Sequence, residues 1–402
     1  MTRPEEVFEE TFGDPATLLV RAPGRVNLIG EHIDYNDLPV FPMALQREVR
    51  IAFRPREDET IALYSAEARF PPVEFKIQPR MTPWEQGSWG NYVKAPANEL
   101  AERFAIRRGF DGVLHSDIPV AAGLSSSSAI VNAVGLALAH INDVSVERRD
   151  LAGVMADAER FVGTRGGGMD QTISLGARDG CAARISFRPL RLRHVAVPDD
   201  WCFIVADSGE VAEKSGRLQA SYNRRRSECD EALRVMTGHL ATVGVTKTRL
   251  TSYPDLCATL DAHRLVGIAE KVLEGSLLPR FRHAVTEGTR VEEAVERMLA
   301  ADLRGFGSLM DASHASLKID YGVSSAVLDE LVAVAKEGGA SGARLTGAGF
   351  GGCVVALADR STVDTVLEAL VAGFYEKRLQ TEGLDKRLFV AVPTRGASIR
   401  PI

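Results

Sequence analysis

The sequence predicts an α+β protein built of two domains. Its 402 residues are many for a single hydrophobic core. Short strand-like segments fill much of the first half, and the second half alternates helical and strand-like segments. A connector with proline and arginine, residues 188–193, lies between them. We therefore predict domains at residues 1–195 and 196–402.

Composition narrows the range of functions. The apolar content of 45% and the charged content of 25% are typical of a soluble globular protein. A net charge of −6 argues against nucleic acid or an anionic membrane as the main partner, and no apolar run is long enough for a membrane helix. The charged N-terminus carries no targeting core, and the five scattered cysteines show no zinc-ligand spacing. These features predict a cytoplasmic protein with reduced thiols, and a monomer by default.

In the first half, the alternation of apolar residues predicts strands and the turn residues separate them. We predict a strand at 17–21, a turn at Ala22–Arg25, strands at 49–53, 61–64, 73–77 and 113–117, and helices from 88, from 129 to 141 and over 151–162. Trp89 and Tyr92, near the start of the first helix, suit the core better than the wall of a flat-ring pocket.

In the second half, helical periodicity dominates. We predict strands at 181–187 and 202–206, helices at 212–236, 281–300, 303–317 and 324–337, a strand–turn–strand unit at 343–357, a helix over 363–374 and a strand at 388–392. The turn of that unit, Thr346–Gly352, is rich in glycine and is called the glycine turn below.

Residues 118–129, the serine loop, join a strand to a helix through small residues and four consecutive serines, Ser125–Ser128. Backbone N–H groups at such a helix start, together with the helix dipole, favour an anion. The serine hydroxyls could bond phosphate oxygens or hold a cation. A helix cap that binds no ligand is equally compatible with this pattern.

Two further stretches carry ionisable groups at close spacing. Glu31, His32 and Asp34 could converge on one polar ligand: recognition of a polyol or sugar and metal binding use such groups, and a self-satisfied loop is the alternative. The glycine run, Gly166–Gly168, predicts a close backbone approach, because three glycines are costly in conformational entropy. Asp170 follows this run and is a candidate base or metal ligand, although an aspartate in a loop is commonly a turn or cap residue.

Together these features favour a small-molecule kinase, since phosphoryl transfer needs a phosphate cradle, a cation site, a partner for the attacking hydroxyl and a substrate clamp. A P-loop is excluded because no Gly-Lys dipeptide occurs. The glycine spacing does not fit dinucleotide binding, and the nucleophile elbow of serine hydrolases is absent around Ser125–Ser128.

Three stretches carry a resemblance: Gly24–Asn36 with Phe41–Leu45, Pro119–Ala129, and Leu345–Cys353. They are similar, in that order, to the sugar-binding signature, the ATP-binding motif and the third motif of the galactokinase family of the GHMP small-molecule kinases. Shorter matches lie at 88–94, 168–171, 222–225 and 313–317, so the likeness spans about residues 18–358. The resemblance implies an N-terminal domain like domain 2 of ribosomal protein S5, a ferredoxin-like C-terminal domain, and an active site in the cleft between them.

The resemblance also implies roles for individual residues. Asp170 would face the anomeric hydroxyl of D-galactose, either as the catalytic base or as a group that polarises this hydroxyl. Arg25 would keep Asp170 ionised and stabilise the transferring phosphoryl group. The sugar would be bound by Glu31, His32, Asp34, Gly167 and Tyr222. ATP would be bound by Ser65, Trp89, Ala121, Ala122, Gly123, Leu124, Ser125, Ser126 and Ser127, and Mg²⁺ by Ser127 and Glu159.

Some residues depart from the common galactokinase pattern. The glycine run replaces Cys-Gly-Ile, the Glu159–Asp170 spacing is one residue shorter, and Ile33 replaces a threonine, as in the branch with N-acetylgalactosamine kinases and fungal galactokinases. Tyr222 keeps the galactokinase residue. An N-acetylgalactosamine or other hexosamine 1-kinase, and an inactive sugar-sensing regulator, are therefore the alternatives; the serine loop, Arg25 and Asp170 argue against the regulator.

Overall fold

The computed structural model describes residues 3–120, 122–210, 217–245, 250–378 and 381–402. Within these residues the strands are β1 (Leu18–Ile29), β2 (Phe41–Pro55), β3 (Thr60–Ser65), β4 (Val73–Lys76), β5 (Phe110–Ser116), β6 (Cys181–Phe187), β7 (Leu190–Ala196), β8 (Trp201–Asp207), β9 (Gly342–Thr346), β10 (Cys353–Asp359), β11 (Leu388–Ala391) and β12 (Ser398–Pro401).

The α-helices are α1 (Pro4–Phe12), α2 (Asn91–Phe104), α3 (Ser126–Ile141), α4 (Arg148–Ala158), α5 (Met169–Gly176), α6 (Arg217–Thr242), α7 (Tyr253–Thr259), α8 (Ala262–Val272), α9 (Leu277–Leu299), α10 (Leu303–Ser316), α11 (Ala326–Glu337), α12 (Val363–Leu370) and α13 (Leu384–Arg387). None of the described helices is both long and apolar enough to cross a lipid bilayer.

A six-stranded sheet organises the first half, with strand order β12-β1-β2-β5-β3-β4. Its neighbours pair antiparallel except β3 and β5, which pair in parallel. Helix α3 is buried on most of its surface and packs on β1, β2, α2 and α5, which fits its nearly unbroken run of small apolar residues. The start of α3 is thereby fixed against the centre of the sheet.

The predicted turn at Ala22–Arg25 is wrong. β1 runs through these residues, and the register with β2 shifts between Pro23 and Arg25. Proline and glycine mark a bulge here rather than a chain reversal. A Cβ on Gly24 would lie 2.7 Å from the Leu124 carbonyl oxygen, so glycine lets the serine loop approach this bulge.

The predicted connector at 188–193 is also wrong, because β6 and β7 form an antiparallel hairpin that turns at its start. Arginines alternate with apolar residues along β7, and this half-exposed pattern suits an edge hairpin. Helices α1, α5, α7, α8 and α13 were not predicted, and Asp170 lies in the first turn of α5 rather than in a loop. The predicted helix at 212–236 begins outside the described residues and is α6 from Arg217 onward.

A four-stranded antiparallel sheet, ordered β11-β8-β10-β9, organises the second half. Helices α10, α11 and α12 pack on its strands, which agrees with the α+β architecture predicted for this half. The division at residues 195 and 196 stays a prediction. The last strand, β12, returns to the first sheet and pairs with β1, which that division did not foresee.

Candidate active site

A cavity between the two halves collects most of the predicted functional residues. This main cavity is lined by Arg25, Glu31, His32, Asp34, Glu159, Gly166, Gly168, Met169, Asp170, Gln171, Tyr222, Gly347 and Ala348. The lining comes from β1 and the segment after it, from the region of α5, from α6 and from the glycine turn. A site between domains with a few convergent polar groups is a common place for small-molecule binding.

The charge centre of the main cavity is the pair Arg25 and Asp170. Arg25 Nε donates to Asp170 Oδ1 at 2.8 Å and Nη2 donates to Oδ2 at 3.1 Å, with Arg25 only 3% exposed and Asp170 8% exposed. Burial alone would lower the pKa of Arg25, but the charge of Asp170 and then that of Glu31 outweigh it and raise the pKa. A permanently charged guanidinium is thus fixed beside a carboxylate at the cavity wall.

The serine loop reaches the same carboxylate. Ser125 Oγ donates to Asp170 Oδ2 at 2.5 Å from a backbone with φ of +62°, at the N-cap of α3. Buried Ser128 lies 3.5 Å from that oxygen and also donates to Glu159 Oε1. The catalytic candidate Asp170 and the cation-ligand candidate Glu159 therefore meet at Ser128, to which the sequence analysis gives no role of its own among the four serines.

The serine loop also rests on the glycine turn. Gly123 has φ of +76°, and a Cβ on Gly347 would lie 2.6 Å from the Gly123 oxygen, so backbone packs directly on backbone. Arg25 Nη1 donates to the same Gly123 oxygen at 2.5 Å. Ala122 and Leu124 are buried, whereas Ser126 and Ser127 are partly exposed in the first turn of α3. Ala121 lies outside the described residues.

Glu31 is held by a residue that the sequence analysis missed. Arg344, on the buried strand β9, donates from Nη2 to Glu31 Oε2 at 3.0 Å and from Nη1 to the Asn27 carbonyl oxygen at 2.7 Å. The available signal is an arginine within an otherwise uncharged strand next to the glycine turn, since a buried charge needs a partner.

His32 and Tyr222 form the aromatic wall of the main cavity. The ring of His32 lies 5.5 Å from that of Tyr222, and its Nε2 is 3.1 Å from the Ala348 carbonyl oxygen. A carbonyl can only accept, so Nε2 carries the proton and Nδ1 accepts from the Tyr35 hydroxyl at 3.0 Å. Burial, then Asp34 and Asp170, raise the pKa of Tyr222, which stays a neutral hydroxyl donor.

The glycine run approaches Asp34. The Gly167 N–H donates to Asp34 Oδ2 at 3.1 Å, and a Cβ on Gly167 would lie 2.2 Å from the Asp34 carbonyl carbon. The predicted close approach is thus to the chain's own backbone. Burial and then the charge of Asp170 raise the pKa of Asp34 to about 6, so the charged form of this carboxyl is disfavoured in the fold.

Ser65 and Trp89 lie elsewhere. Ser65 ends β3, and its Oγ accepts from the Glu67 N–H, while Trp89 Nε1 donates to the Pro71 carbonyl oxygen. A second cavity is lined by Trp84, Tyr92, Phe161 and Gln219 together with residues 83, 86–88, 91, 162 and 163. Trp89 and Tyr92 are partly buried and pack against the core, as the sequence analysis favours, and Tyr92 also lines this second cavity.

Asp34→Asn is expected to stabilise the folded chain by about 1–2 kcal/mol at pH 7.5. An acid whose pKa rises from 3.8 to about 6 on folding loses up to ~3 kcal/mol of stability above pH 6, and part of the side chain is solvated. Asparagine removes this charge but keeps an oxygen for the Gly167 N–H. Because the folded state binds the proton more tightly, the gain should shrink as pH falls from 6 and vanish below about 4. Denaturant unfolding at pH 7.5, 5 and 4 checks this; a loss of stability at pH 7.5 would contradict it.

Within the described ranges, no three side chains of histidine, cysteine, aspartate or glutamate are grouped so that they could hold a metal by themselves. A cation here would need hydroxyl or phosphate oxygens in addition to Glu159.

Family comparisons match three parts of the chain. Residues 6–55 match the galactokinase galactose-binding signature, residues 91–177 the N-terminal domain of GHMP kinases, and residues 291–377 their C-terminal domain. These matches contain the Arg25–Asp34 segment, the serine loop with Asp170, and the glycine turn.

Similar proteins cover nearly the whole chain. The galactokinase of Chloroflexus aurantiacus is 40% identical over 91% of this chain and 90% of its own, and that of Roseiflexus is 37% identical over 92% and 91%. The crystal structure of Lactococcus lactis galactokinase complexed with galactose has a TM-score of 0.85 at 30% identity and covers 98% of both chains. Methanococcus jannaschii mevalonate kinase, at 16% identity and a TM-score of 0.60, shares the fold.

Proposed function

The chain belongs to the galactokinase family of the GHMP kinases, and from this membership we propose the reaction of its main cavity. ATP transfers its γ-phosphoryl group to the anomeric hydroxyl of D-galactose, giving α-D-galactose 1-phosphate and ADP. The observation that carries the proposal is the buried Arg25–Asp170 pair, which faces the Glu31, His32 and Asp34 cluster in one cavity and contacts Ser125 at the start of α3.

Asp170 and Arg25 act on the reacting groups. The anomeric oxygen attacks the γ-phosphorus, the bond from that phosphorus to the bridging oxygen of ADP breaks, and the hydroxyl proton passes to Asp170. Arg25 stabilises the negative charge that develops on the phosphoryl oxygens. Its bidentate contact with Asp170 sets the distance between the hydroxyl partner and the phosphoryl partner before either ligand binds.

The sugar hydroxyls are bound by Glu31, His32, Asp34 and Tyr222. The Gly167 N–H holds the Asp34 carboxylate in place by a hydrogen bond. Carboxylates accept from hydroxyls, whereas the Tyr222 hydroxyl both donates and accepts, so the set can bond a polyol in several directions. A site built from such partners rejects ligands that lack a matching hydroxyl, because its buried groups would stay unpaired.

ATP and Mg²⁺ fit the residues present. Gly123 and Ala122 offer backbone at the start of α3 where a triphosphate would gain from the helix dipole, and Ser125, Ser126 and Ser127 offer hydroxyls. Ser127 and Glu159 supply the hard oxygen ligands that Mg²⁺ prefers, and Ser128 orients the Glu159 carboxylate. The bound ion would neutralise phosphate charge during transfer. We place the nucleoside near Ser65, Trp89 and the second cavity.

An N-acetylgalactosamine 1-kinase is the second candidate. Gly166 lines the main cavity, and a Cβ there would meet no atom within 4 Å, so the glycine run leaves space beside the sugar site. That space is the observation that favours a substituted sugar. We also propose a cytoplasmic location, because the five cysteines are free thiols, and a monomer as the default state.

Purified protein assayed with ATP, Mg²⁺ and a panel of hexoses tests both candidates. We expect galactose to give the highest kcat/KM, and the product to carry phosphate on the anomeric oxygen by ³¹P NMR. A higher kcat/KM for N-acetylgalactosamine would replace the first candidate with the second. Absence of turnover with every hexose, despite a folded protein, would refute the enzyme function. Omission of Mg²⁺ should abolish turnover.

A further inference from the structure

Arg344 places a charged side chain in the interior of the protein. It is fully buried on β9, where its neighbours in sequence are also buried. Its Nη1 and Nη2 contact Asn27 and Glu31, but its Nε has no hydrogen-bond partner among the described residues. Burying a guanidinium with an unpaired N–H costs desolvation energy, so this ion pair contributes little to the stability of the fold. The contact with Glu31 therefore calls for a functional explanation.

The backbone around Glu31 is already fixed without Arg344. His283 Nε2 donates to the Glu31 carbonyl oxygen at 3.0 Å, and the Gly30 N–H donates to Glu287 Oε1 at 2.9 Å. Both partners lie on α9 and are fully buried. Since these contacts hold the peptide, the distinct contribution of Arg344 is the orientation of the Glu31 carboxylate.

Strand β9 is a rigid base for that task. Thr346 Oγ1 bonds both the N–H and the carbonyl oxygen of Asn27 at 3.1 Å, so β9 is tied to β1 at the residue that Arg344 also contacts. Groups mounted on strands hold a geometry better than groups on loops. β9 then continues into the glycine turn, which supports the serine loop at Gly123.

We propose that Arg344 is a positioning residue for substrate recognition: it orients the Glu31 carboxylate toward the hydroxyls of the bound sugar. This inference rests on the proposed function. It adds to the contact proposed for Tyr222 a second, indirect influence of the C-terminal half on sugar affinity, through a side chain that does not line the main cavity.

Arg344→Lys tests this inference. Lysine keeps the charge, but a single ammonium cannot hold Asn27 and Glu31 in the fork geometry of a guanidinium. We expect the KM for galactose to rise at least about tenfold, while kcat and the KM for ATP stay within about threefold. A galactose KM within twofold of the wild-type value would overturn the proposal.

Arg21→Lys is the matched control. Arg21 also contacts one glutamate, Glu48 Oε2 at 2.5 Å, and one carbonyl oxygen, that of Gly396, yet neither Arg21 nor Glu48 lines the main cavity. Arg21→Lys should leave the galactose KM unchanged, whatever it does to the melting temperature. An equal rise in galactose KM in both variants would mark the effect as general loosening and overturn the proposal.

A double-mutant cycle separates positioning from a structural role. In a Glu31→Gln background, Arg344→Lys should change galactose affinity, measured by calorimetry, less than about twofold, because the carboxylate to be oriented is gone. Additive effects would overturn the proposal.

If Arg344→Lys does not fold, the double variant Glu31→Gln with Arg344→Gln replaces it, because it removes both charges of the buried pair. This double variant should bind galactose as weakly as Glu31→Gln alone. Failure of the proposed function is distinguishable, since wild-type protein would then not phosphorylate galactose.

Discussion

Replacing Asp170 with asparagine is expected to lower kcat by about 10²–10⁴-fold while galactose binding remains measurable. The substitution removes the proton acceptor and the negative charge next to Arg25, and this range is typical for the loss of a positioned base. Glu31, His32 and Asp34 keep their own partners, so the sugar still has a site. Steady-state kinetics and calorimetric titration with galactose measure the two effects separately.

Ser125→Ala is the control for this variant. It removes the hydroxyl that donates to Asp170 Oδ2 but keeps the carboxylate and its contact with Arg25, so kcat should fall less than about tenfold. The assigned role of Asp170 is wrong if Asp170→Asn retains turnover within a few-fold of wild type. Its role in phosphoryl transfer is likewise wrong if galactose affinity alone accounts for the loss.

The difference between these two variants follows from where each group stands in the reaction. Ser125 is the N-cap residue of α3, where the triphosphate is proposed to bind, and its hydroxyl donates to Asp170. Asp170 itself is proposed to face the attacking oxygen. The two variants therefore test the Asp170 carboxylate in two ways. Asp170→Asn removes the carboxylate itself, and Ser125→Ala removes only the hydroxyl that contacts it from the serine loop.

Local sequence information was sufficient where the chemistry is encoded in short motifs. The serine loop was recognised from four serines before an apolar helix, and the cluster at Glu31, His32 and Asp34 from its spacing. The glycine run was read as a close approach because three glycines are entropically costly. Its partner, the backbone of Asp34, lies 133 residues away and could not be read from the run itself.

Long-range pairing explains most of what the sequence did not reveal. Arg344 and Glu31 are 313 residues apart, and no local pattern states which carboxylate a buried arginine will meet. Pro23 and Gly24 have the residue types of a turn, but pairing with β2 overrides that preference and turns them into a bulge. Tertiary pairing with β6 likewise makes a strand, β7, of a segment whose proline and arginines predict a connector.

The glycine turn and the glycine run both lack side chains at positions where two backbone segments are in contact. Gly347 lets the glycine turn meet Gly123 of the serine loop, and Gly167 lets the glycine run meet Asp34. The first contact lies where the phosphates are proposed to bind, and the second lies where the sugar is proposed to bind. Steric access of one backbone to another, rather than unusual φ, is the requirement at Gly167, because its φ is not in the left-handed region.

Gly167→Ala is accordingly expected to lower kcat/KM for galactose by about 10²-fold or more. A Cβ at this position would lie 2.2 Å from the Asp34 carbonyl carbon and 2.3 Å from the Tyr35 nitrogen, and backbone atoms cannot rotate away as a side-chain end could. The segment that carries Asp34 must therefore shift, and displacements near 1 Å in a binding site cost about this much. Kinetics with galactose, together with the melting temperature, measure the effect.

Gly166→Ala is the neighbouring control within the same glycine run. A Cβ there meets no atom within 4 Å and its φ is not positive, so kcat/KM for galactose should stay within about threefold of wild type. Equal losses in both variants would show that the run acts through its flexibility and not through the contact with Asp34. A larger loss for Gly166→Ala, confined to N-acetylgalactosamine, would instead place the extra sugar substituent beside Gly166. The two alanines thus divide the glycine run into a position that the chain itself fills and a position that is open to the ligand.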